Sequence, residues 1–448
     1  MQTPKKIAIV GSGLVGTLLG IYLKKRGHTV HVYDRSPDIR KINFSGRSIN
    51  LVLSQRGITA LKHVGLEKAI LAIGIPVEKR AIHTNSNSVA NQYYGKEGEV
   101  IYSISRGLLN KKMVDLAEKE GVSFFFERKI WDVSLNDGTL FEGEEEHGDW
   151  TAHKYDIVFG ADGAFSRIRH RMQRQSMFNY SQEFLTIGYK ELHIPAHADG
   201  SHKLDKKALH IWPRGHFMLM ALANLDGSFT CTLFMPHDGE DSFESLKTEA
   251  QLVDFFAHHF PDTKEVIPNL VEDFFKNPTS YLVTMKCFPW TYKDKVALIG
   301  DACHAIVPFY GHGMNAGFED ITILNQMMDK YGDDWANLLN EYENSRKPNT
   351  DAIAELSYRN FMEMSAKTAD SKFLLQKKIE NWFSEKHPKK WQPLYSRVTF
   401  SDQPYAEALA IGDFQNQIME QIMQMPNIEA KWNSEEVELK MLNLLQKD

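Results

Sequence analysis

At 448 residues the chain has room for two or three domains, or for one large interleaved unit. Its 42% hydrophobic and 25% charged content is that of a globular protein with a sizeable core, and a net charge of −6 argues against a general nucleic-acid binder. Cys231, Cys287 and Cys303 stand far apart, form no CxxC pair or metal-ligand set and suit a reducing compartment, so no metal is expected.

The N-terminus has the outline of a targeting segment: Lys5 and Lys6 precede a mostly apolar run from Ile7 to Leu23. Gly11, Gly13, Gly16 and Gly20 interrupt that run, so it reads as a buried strand plus a helix. No other stretch approaches the roughly 18 uninterrupted apolar residues of a spanning helix. The expectation is a soluble, cytoplasmic protein with no membrane segment.

Lys6–Val10 is predicted as a short β-branched strand. Gly11-Ser12-Gly13-Leu14-Val15-Gly16 follows, then a helix over Thr17–Lys25 and a second strand, Thr29–Tyr33, closing on Asp34. This is the dinucleotide-binding βαβ fingerprint in its required context. The first glycine permits the tight turn, and the second lets the backbone approach a pyrophosphate. The third lets helix and strand pack, and the acid takes the ribose hydroxyls. The pattern does not separate FAD from NAD.

Gly46–Leu51 reads as a polar loop leading to a helix over Ser54–Val64. Arg80–Ser105 reads as antiparallel strands with a loop at Asn85–Asn91. Arg106 opens a helix over Gly107–Glu120, and Val122–Glu127 is a further strand. The acidic, turn-rich Asn136–Asp149 reads as a solvated hairpin. The strand Tyr155–Phe159 ends in Gly160-Ala161-Asp162-Gly163, with Arg167 and Arg169 beyond it, either near phosphates or on the surface.

From Phe184 to Leu233 the pattern becomes antiparallel. Strands are expected over Ile187–His193, Ala208–Trp212, Phe217–Leu222 and Ser228–Phe234, rich in aromatics and methionines. Such a sheet can wall an apolar ligand, although aromatics at alternate positions read first as plain core. Leu252–Phe275 is predicted helical and Tyr281–Phe288 a strand.

The stretch Ala297–Asp320 then gathers the chemistry. A strand from Val296 to Ile299 delivers Asp301, and Gly311 and Gly313 open a helix near Met314 and Asn315. The acid can accept hydrogen bonds from sugar or ribityl hydroxyls. The helix N-terminus offers free N–H groups and a positive dipole end to an electron-rich ring edge. Beyond this stretch come Asp320–Lys330, Trp335–Asn344 and a long polar-amphipathic stretch, Thr350–Phe383, and the tail holds Phe414–Met425 and a last helix, Glu435–Gln446. The last carries Val437, Leu439, Met441, Leu442 and Leu445 on one face, suited to docking on the body of the protein.

GSGLVG with Asp34, then FGADGAFSRIR, then GDACHAIVPFYGHGMN occur in a set order. Together they resemble the single-component flavoprotein aromatic hydroxylases of the para-hydroxybenzoate hydroxylase type. The resemblance implies an α/β fold: a Rossmann-type FAD-binding domain interleaved with an antiparallel-sheet substrate domain, followed by a C-terminal helical region. The expected boundaries are 1–180 and 281–345 for the first, 181–280 for the second and 346–448 for the third, which closes the substrate site. Strands near 80–105 are expected to contribute to the substrate domain. The implied cofactors are tightly but non-covalently bound FAD and transient NADPH, with O2 as co-substrate.

GRSINLVLSQRG, GYKEL, ALHIWPRG, SFTCTLFMP, YRNFMEMS and LYSRVTFSDQPY are similar to the kynurenine monooxygenase branch. By that resemblance FAD contacts fall on Val15, Asp34, Arg35, Val52, Arg106, Asp301, Met314 and Asn315, beside Gly11, Gly13 and Gly16. Arg80 and Tyr94 would hold the amino-acid end of L-kynurenine, with Asn360 and Tyr395 reaching in from the C-terminal helices. Phe234, Phe309, Tyr310 and Met364 would wall the ring. The implied reaction is hydroxylation to 3-hydroxy-L-kynurenine through a C4a-hydroperoxyflavin, in tryptophan catabolism toward quinolinate and NAD.

An aniline N–H is too weakly acidic to call for a base, so no catalytic acid–base residue is nominated, and His304 reads as structural or flavin-adjacent. The branch commonly carries Gln where this chain has His312 and often Ala at Cys303; His312 is expected near the flavin pyrimidine. Three alternatives stand beside this reading. One is a hydroxylase of another aromatic amino acid or anthranilate-like substrate. A flavin-dependent halogenase is disfavoured by the missing WxWxIP motif, and a non-catalytic flavoprotein module by the intact glycines and both acids. The sequence leaves the oligomeric state open, a homodimer included.

Overall fold

The computed structural model describes residues 3–42, 50–84, 88–94, 98–364 and 370–446. The chain begins with β1 (Lys6–Val10), α1 (Leu14–Lys25) and β2 (Thr29–Tyr33), with β1 and β2 paired in parallel. Helix α1 starts three residues earlier than predicted. Gly16 permits this, because a Cβ there would lie 2.1 Å from the Gly11 carbonyl oxygen. Next come β3 (Asn50–Leu53), α2 (Gln55–His63), α3 (Glu67–Leu71), β4 (Ile75–Val77), β5 (Lys79–His83), β6 (Val89–Tyr93) and β7 (Ile101–Ser105). The predicted loop over Gly46–Leu51 is corrected at its end: Asn50 and Leu51 are strand, paired antiparallel with β7. Gly46–Ile49 lie outside the described residues, as does part of the loop expected at Asn85–Asn91.

The strands expected over Arg80–Ser105 divide between two sheets. β5 and β6 pair with each other, whereas β7 pairs with β3 and β4. Alternation marks a strand but does not choose its partner. Then follow α4 (Arg106–Lys119), β8 (Ser123–Phe125), a small antiparallel sheet of β9 (Ile130–Ser134), β10 (Thr139–Glu142) and β11 (Thr151–Lys154), then β12 (Ile157–Gly160) and α5 (Arg167–Met172).

The antiparallel stretch supplies β13 (Asn179–Ile194), β14 (Ala208–Arg214), β15 (Phe217–Ala223) and β16 (Phe229–Pro236). The single helix predicted over Leu252–Phe275 is instead α6 (Glu249–His259), a 3-10 turn (Pro261–Thr263) and α7 (Leu270–Lys276). Pro261 and Pro268 lack the N–H that a continuous helix would need. β17 (Ser280–Phe288), grouped above with the cofactor fold, pairs with β13 as an edge of the large sheet, whose order is β17-β13-β16-β15-β14-β5-β6. After β18 (Thr291–Tyr292), β19 (Val296–Leu298) completes a second sheet, β18-β19-β12-β1-β2-β8.

The remainder is helical: α8 (Asp301–His304), a 3-10 turn (Pro308–Tyr310), α9 (Gly313–Tyr331), α10 (Trp335–Met362), α11 (Ser371–Lys386), α12 (Leu394–Thr399), α13 (Tyr405–Met423), α14 (Ile428–Lys431) and α15 (Glu435–Leu445). α10 joins two stretches expected to be separate, running straight through Pro348. The proline removes a backbone bond, and neighbouring side chains bond back onto the helix. Asn344 donates to Asn340 O, Ser345 to Tyr342 O and Asn349 to Ser345 O, all at 2.9–3.0 Å.

Four cores result. Ile7, Ile9, Leu18, Phe159 and Phe318 fill the parallel sheet and its helices. Trp212, Phe217, Leu219 and Leu233 back the antiparallel sheet against Phe255, Phe256 and Phe260. Its front face, with Ile82, Leu209, Met218 and Phe234, meets Phe309, Phe361 and Met364. The C-terminal helices pack Ile379, Phe383, Ile418, Val437, Met441 and Leu444. Leu439, expected on the buried face of α15, is 52% exposed; Leu444 takes that place. Among the described residues no helix is long and apolar enough to cross a membrane.

Candidate cofactor and substrate site

A cavity of about 300 Å³ runs between the two sheets. One end is lined by Gly13, Leu14, Val15 and Gly163, the middle by Val52, Arg106, Asp301, Gly313 and Met314, and the far end by Leu209, Met220, Leu222, Phe234 and Phe309. The glycines at the first end do different work. Gly11 has φ +109°, and a Cβ there would sit 2.3 Å from the Ala161 carbonyl oxygen, so it is fixed by strand contact. Gly13 has nothing within 4 Å of its Cβ position and stands at the N-terminus of α1, leaving room for a diphosphate against free N–H groups. Asp34, at the end of β2, accepts from the Ser12 N–H and hydroxyl, both at 2.7 Å, and from the Ser36 N–H at 2.8 Å. Arg35 beside it is exposed. This cradle, its spaced acid and the long cavity fit a flavin dinucleotide.

Asp301 follows Gly300, whose φ of +64° turns the chain from β19 into α8. Its side chain is accessible through the cavity, yet the protein around it desolvates the carboxyl and pushes it above the usual range, against the pull of His304 and Arg106. Beneath it lies a buried charge network. Asp320 accepts from the Gly300 N–H at 3.1 Å, His304 Nε2 at 2.5 Å and Arg346 Nε at 2.7 Å. Burial opposes the Asp320 charge, yet His304 and Arg346 outweigh it and hold the carboxyl below the usual range. Arg346 also pairs with Glu319 at 2.6 Å, and Glu319 with Arg56. His304 is therefore a structural partner of Asp320.

Asn315 is buried, and its side chain is fully used. Oδ1 accepts from the Ser54 N–H at 2.9 Å, while Nδ2 donates to Val52 O and Gly311 O at 2.7 and 3.0 Å. It pins β3, α2 and the start of α9 together, and only backbone there is left for a ligand. His312 corrects an expectation. It is absent from the cavity lining and fully buried, and it turns the other way to place Nδ1 2.8 Å from the Tyr405 hydroxyl. Burial, with Arg56 nearby, pushes its pKa down to about 3, so the ring is neutral. Arg169 also differs from a phosphate contact: it is buried and donates to Ala302 O and Ala164 O. Arg167 is at the surface with Glu146.

At the apolar end, Phe234 and Phe309 are 5.1 Å apart and Phe309 and Phe361 4.4 Å. Asn360 Nδ2 donates to Phe309 O at 2.7 Å and lies 3.2 Å from Met364 Sδ, so it braces the aromatic turn. Tyr94, Tyr395 and Tyr310 stack in sequence at 5.2 and 5.5 Å. The Arg80 guanidinium lies over Tyr395 at 4.7 Å and Tyr94 at 5.7 Å. Arg80 Nε and the Tyr94 hydroxyl are buried without a hydrogen-bond partner. Burial raises all three tyrosines above their ordinary range, so their hydroxyls stay protonated as donors.

The cavity thus brings together Gly13, Val15, Val52, Arg106, Asp301, Met314, Phe234 and Phe309. Gly11, Gly16, Asp34, Arg35 and Asn315 lie behind or beyond its lining. Arg80, Tyr94, Tyr310, Asn360, Met364 and Tyr395 form an adjoining group joined to it through Phe309. Sequence reasoning missed Leu209, Met220, Leu222, Thr230 and Thr232. Their signal was the alternation of β14–β16: Phe229, Cys231 and Leu233 face the back core, and Thr230, Thr232 and Phe234 the cavity.

Comparison with known proteins agrees with this architecture. Residues 5–357 match the FAD binding domain family FAD_binding_3. The kynurenine 3-monooxygenase of Flavobacterium johnsoniae is 72% identical over 447 residues, covering 100% of both chains. That of Christiangramia forsetii is 62% identical with the same coverage. Among solved structures, 2-methyl-3-hydroxypyridine-5-carboxylic acid oxygenase superposes with a TM-score of 0.68 over 84% of this chain and 96% of its own; at 20% identity this speaks to the fold alone. The chain belongs to the FAD-binding flavoprotein family, in its kynurenine 3-monooxygenase branch.

Proposed function

We propose that this protein hydroxylates L-kynurenine to 3-hydroxy-L-kynurenine with NADPH and O2. The observation that carries the reading is the unpartnered, buried Arg80 Nε and Tyr94 hydroxyl, framed by stacked tyrosines next to an aromatic-walled cavity. An α-carboxylate matches a guanidinium fork and phenol donors, and an aminobenzoyl ring matches aromatic walls.

Bound FAD supplies activation of O2 and transfer of an electrophilic oxygen. The chain's own residues do the rest. The N-terminus of α1 at Gly13 would receive the diphosphate, and Asp301 would accept from the ribityl chain. The N-terminus of α9, at Gly313 and Met314, would offer its N–H groups to the electron-rich edge of the ring system. Arg80, Tyr94 and Tyr395 hold the amino-acid end of the substrate. Phe234 and Phe309 orient the aromatic ring and exclude water. The ring amino group donates electron density to the carbon ortho to it, so no residue need remove a proton before attack. The reading extends to an enzyme working free of membranes in the cytoplasm. Its support is that Val437, Met441 and Leu444 of α15 are spent on packing.

NADPH consumption with and without L-kynurenine, with mass analysis of the product, tests the proposal. One added oxygen in the product is expected; consumption indifferent to kynurenine, or yielding only peroxide, would refute it.

A further inference from the structure

Behind Arg80, on the opposite face of the sheet, polar side chains form an unbroken line of hydrogen bonds. Trp212 Nε1 donates to Asp262 Oδ2 at 2.7 Å, and the same oxygen lies 3.0 Å from His83 Nδ1. His83 Nε2 is 2.9 Å from His210 Nδ1, and His210 Nε2 is 2.9 Å from the Asp205 carbonyl oxygen. His83 and His210 are 7% and 3% exposed, and the His83 ring stacks on Trp212 at 3.9 Å.

Burial opposes the Asp262 charge, but the bonds from His83 and Trp212 outweigh it and keep its carboxyl below the usual range. Burial pushes His210 down to about 4. His83 therefore bridges a carboxylate on one side and a neutral imidazole on the other.

The other charged groups packed here are engaged elsewhere. Arg214 of β14 donates to His83 O at 3.1 Å and to His259 O, at the end of α6, at 2.5 Å. Lys79 pairs with Asp205 at 2.9 Å. Asp262 is thus the anion in contact with His83, and Arg214 the cation bonded to its backbone carbonyl.

We propose that His83 is a positioning residue for the substrate clamp: its ring, held between Asp262 and His210, ties β5 to β14 and to the turn at Pro261–Thr263, and so fixes Arg80 on the same strand. This rests on the reading of Arg80 as the carboxylate clamp. Arg80 Nε has no protein hydrogen bond to hold it, so its placement falls to its strand and to the stacked tyrosines.

Steady-state kinetics of the intact flavoprotein tests this. His83→Asn is expected to raise the KM for kynurenine about tenfold while kcat stays within about twofold. Asp262→Asn, which keeps an acceptor for Trp212, is expected to do the same if His83→Asn does not fold. A folded, FAD-loaded variant with the wild-type KM, or one whose loss falls on kcat instead, overturns the proposal. If Arg80→Ala leaves KM unchanged, the clamp reading falls and the positioning role with it; if Arg80→Ala raises KM and His83→Asn does not, the positioning role alone falls.

Discussion

Arg80→Ala puts the substrate clamp to its most direct test. In the ligand-free protein the guanidinium makes ring contacts at 4.7 and 5.7 Å, and its Nε has no hydrogen-bond partner. Truncation therefore forfeits cation–π contact worth about 0.5–2 kcal/mol, and the fold survives. The larger loss falls on the bound ligand, because a charge-assisted hydrogen bond contributes about 1.5–3 kcal/mol. At 1.36 kcal/mol per decade, kcat/KM should fall by roughly one to two decades. In the proposed clamp Arg80 would hold the end of the substrate remote from the reacting carbon. The loss should therefore appear mainly in KM, the pattern of binding shared by ground and transition states. The assay is steady-state NADPH oxidation over a kynurenine titration, repeated with an analogue lacking the α-carboxylate. The analogue should be poor for both proteins and should not tell them apart. An unchanged KM for kynurenine, or an analogue that separates the two as strongly as kynurenine does, would refute the reasoning.

The two glycines of the cradle should separate cleanly. Gly11→Ala is expected to lose roughly 2–4 kcal/mol of stability in urea unfolding, because its Cβ meets the Ala161 carbonyl and its φ is positive. Gly13→Ala should keep the wild-type Tm but retain less FAD after gel filtration, since only the ligand side of that residue is open. Arg346→Met removes the guanidinium shared by Glu319 and Asp320, leaving them only Arg56 and His304, and thermal unfolding should report a loss at the low end of about 3–5 kcal/mol. His312 is neutral when folded, with a pKa near 3, whereas the unfolded chain takes up a proton near 6.5. A base with a depressed folded pKa costs stability as pH falls below its unfolded value. His312→Gln should therefore flatten the acid side of the stability curve by up to about 1.4 kcal/mol per pH unit.

What could be read from the sequence was local. The glycine spacing after β1, the acid after β2 and the acid-then-glycine order around Asp301 each express a short-range backbone demand, and the folded chain meets each one. What could not be read depends on partners distant in sequence. Alternation identified β5, β6 and β7 as strands but not that β7 would leave the others for β3 and β4. The aromatic and methionine strands were read first as plain core, yet one face is core and the other is cavity wall. His312 sits between two glycines that line the cavity, and only the folded position of Tyr405 shows that its ring turns away. The two prolines at 261 and 268 were visible and broke a helix as prolines do. Pro348 was equally visible and did not: α10 runs through it, with side-chain bonds from Asn344, Ser345 and Asn349 to helix carbonyls nearby.

That unbroken helix sets a length. α10 carries Arg346, which braces the charge network under the cofactor floor, and Asn360, which holds the carbonyl of Phe309 at the aromatic end. At helical rise the two lie about 21 Å apart along one rod. The two ends of the site are thus spaced by a single covalent ruler rather than by two bodies free to slide. Shifting Asn360 by a turn along α10 should therefore move the aromatic turn relative to the charge network while leaving the residues that line the cavity unchanged.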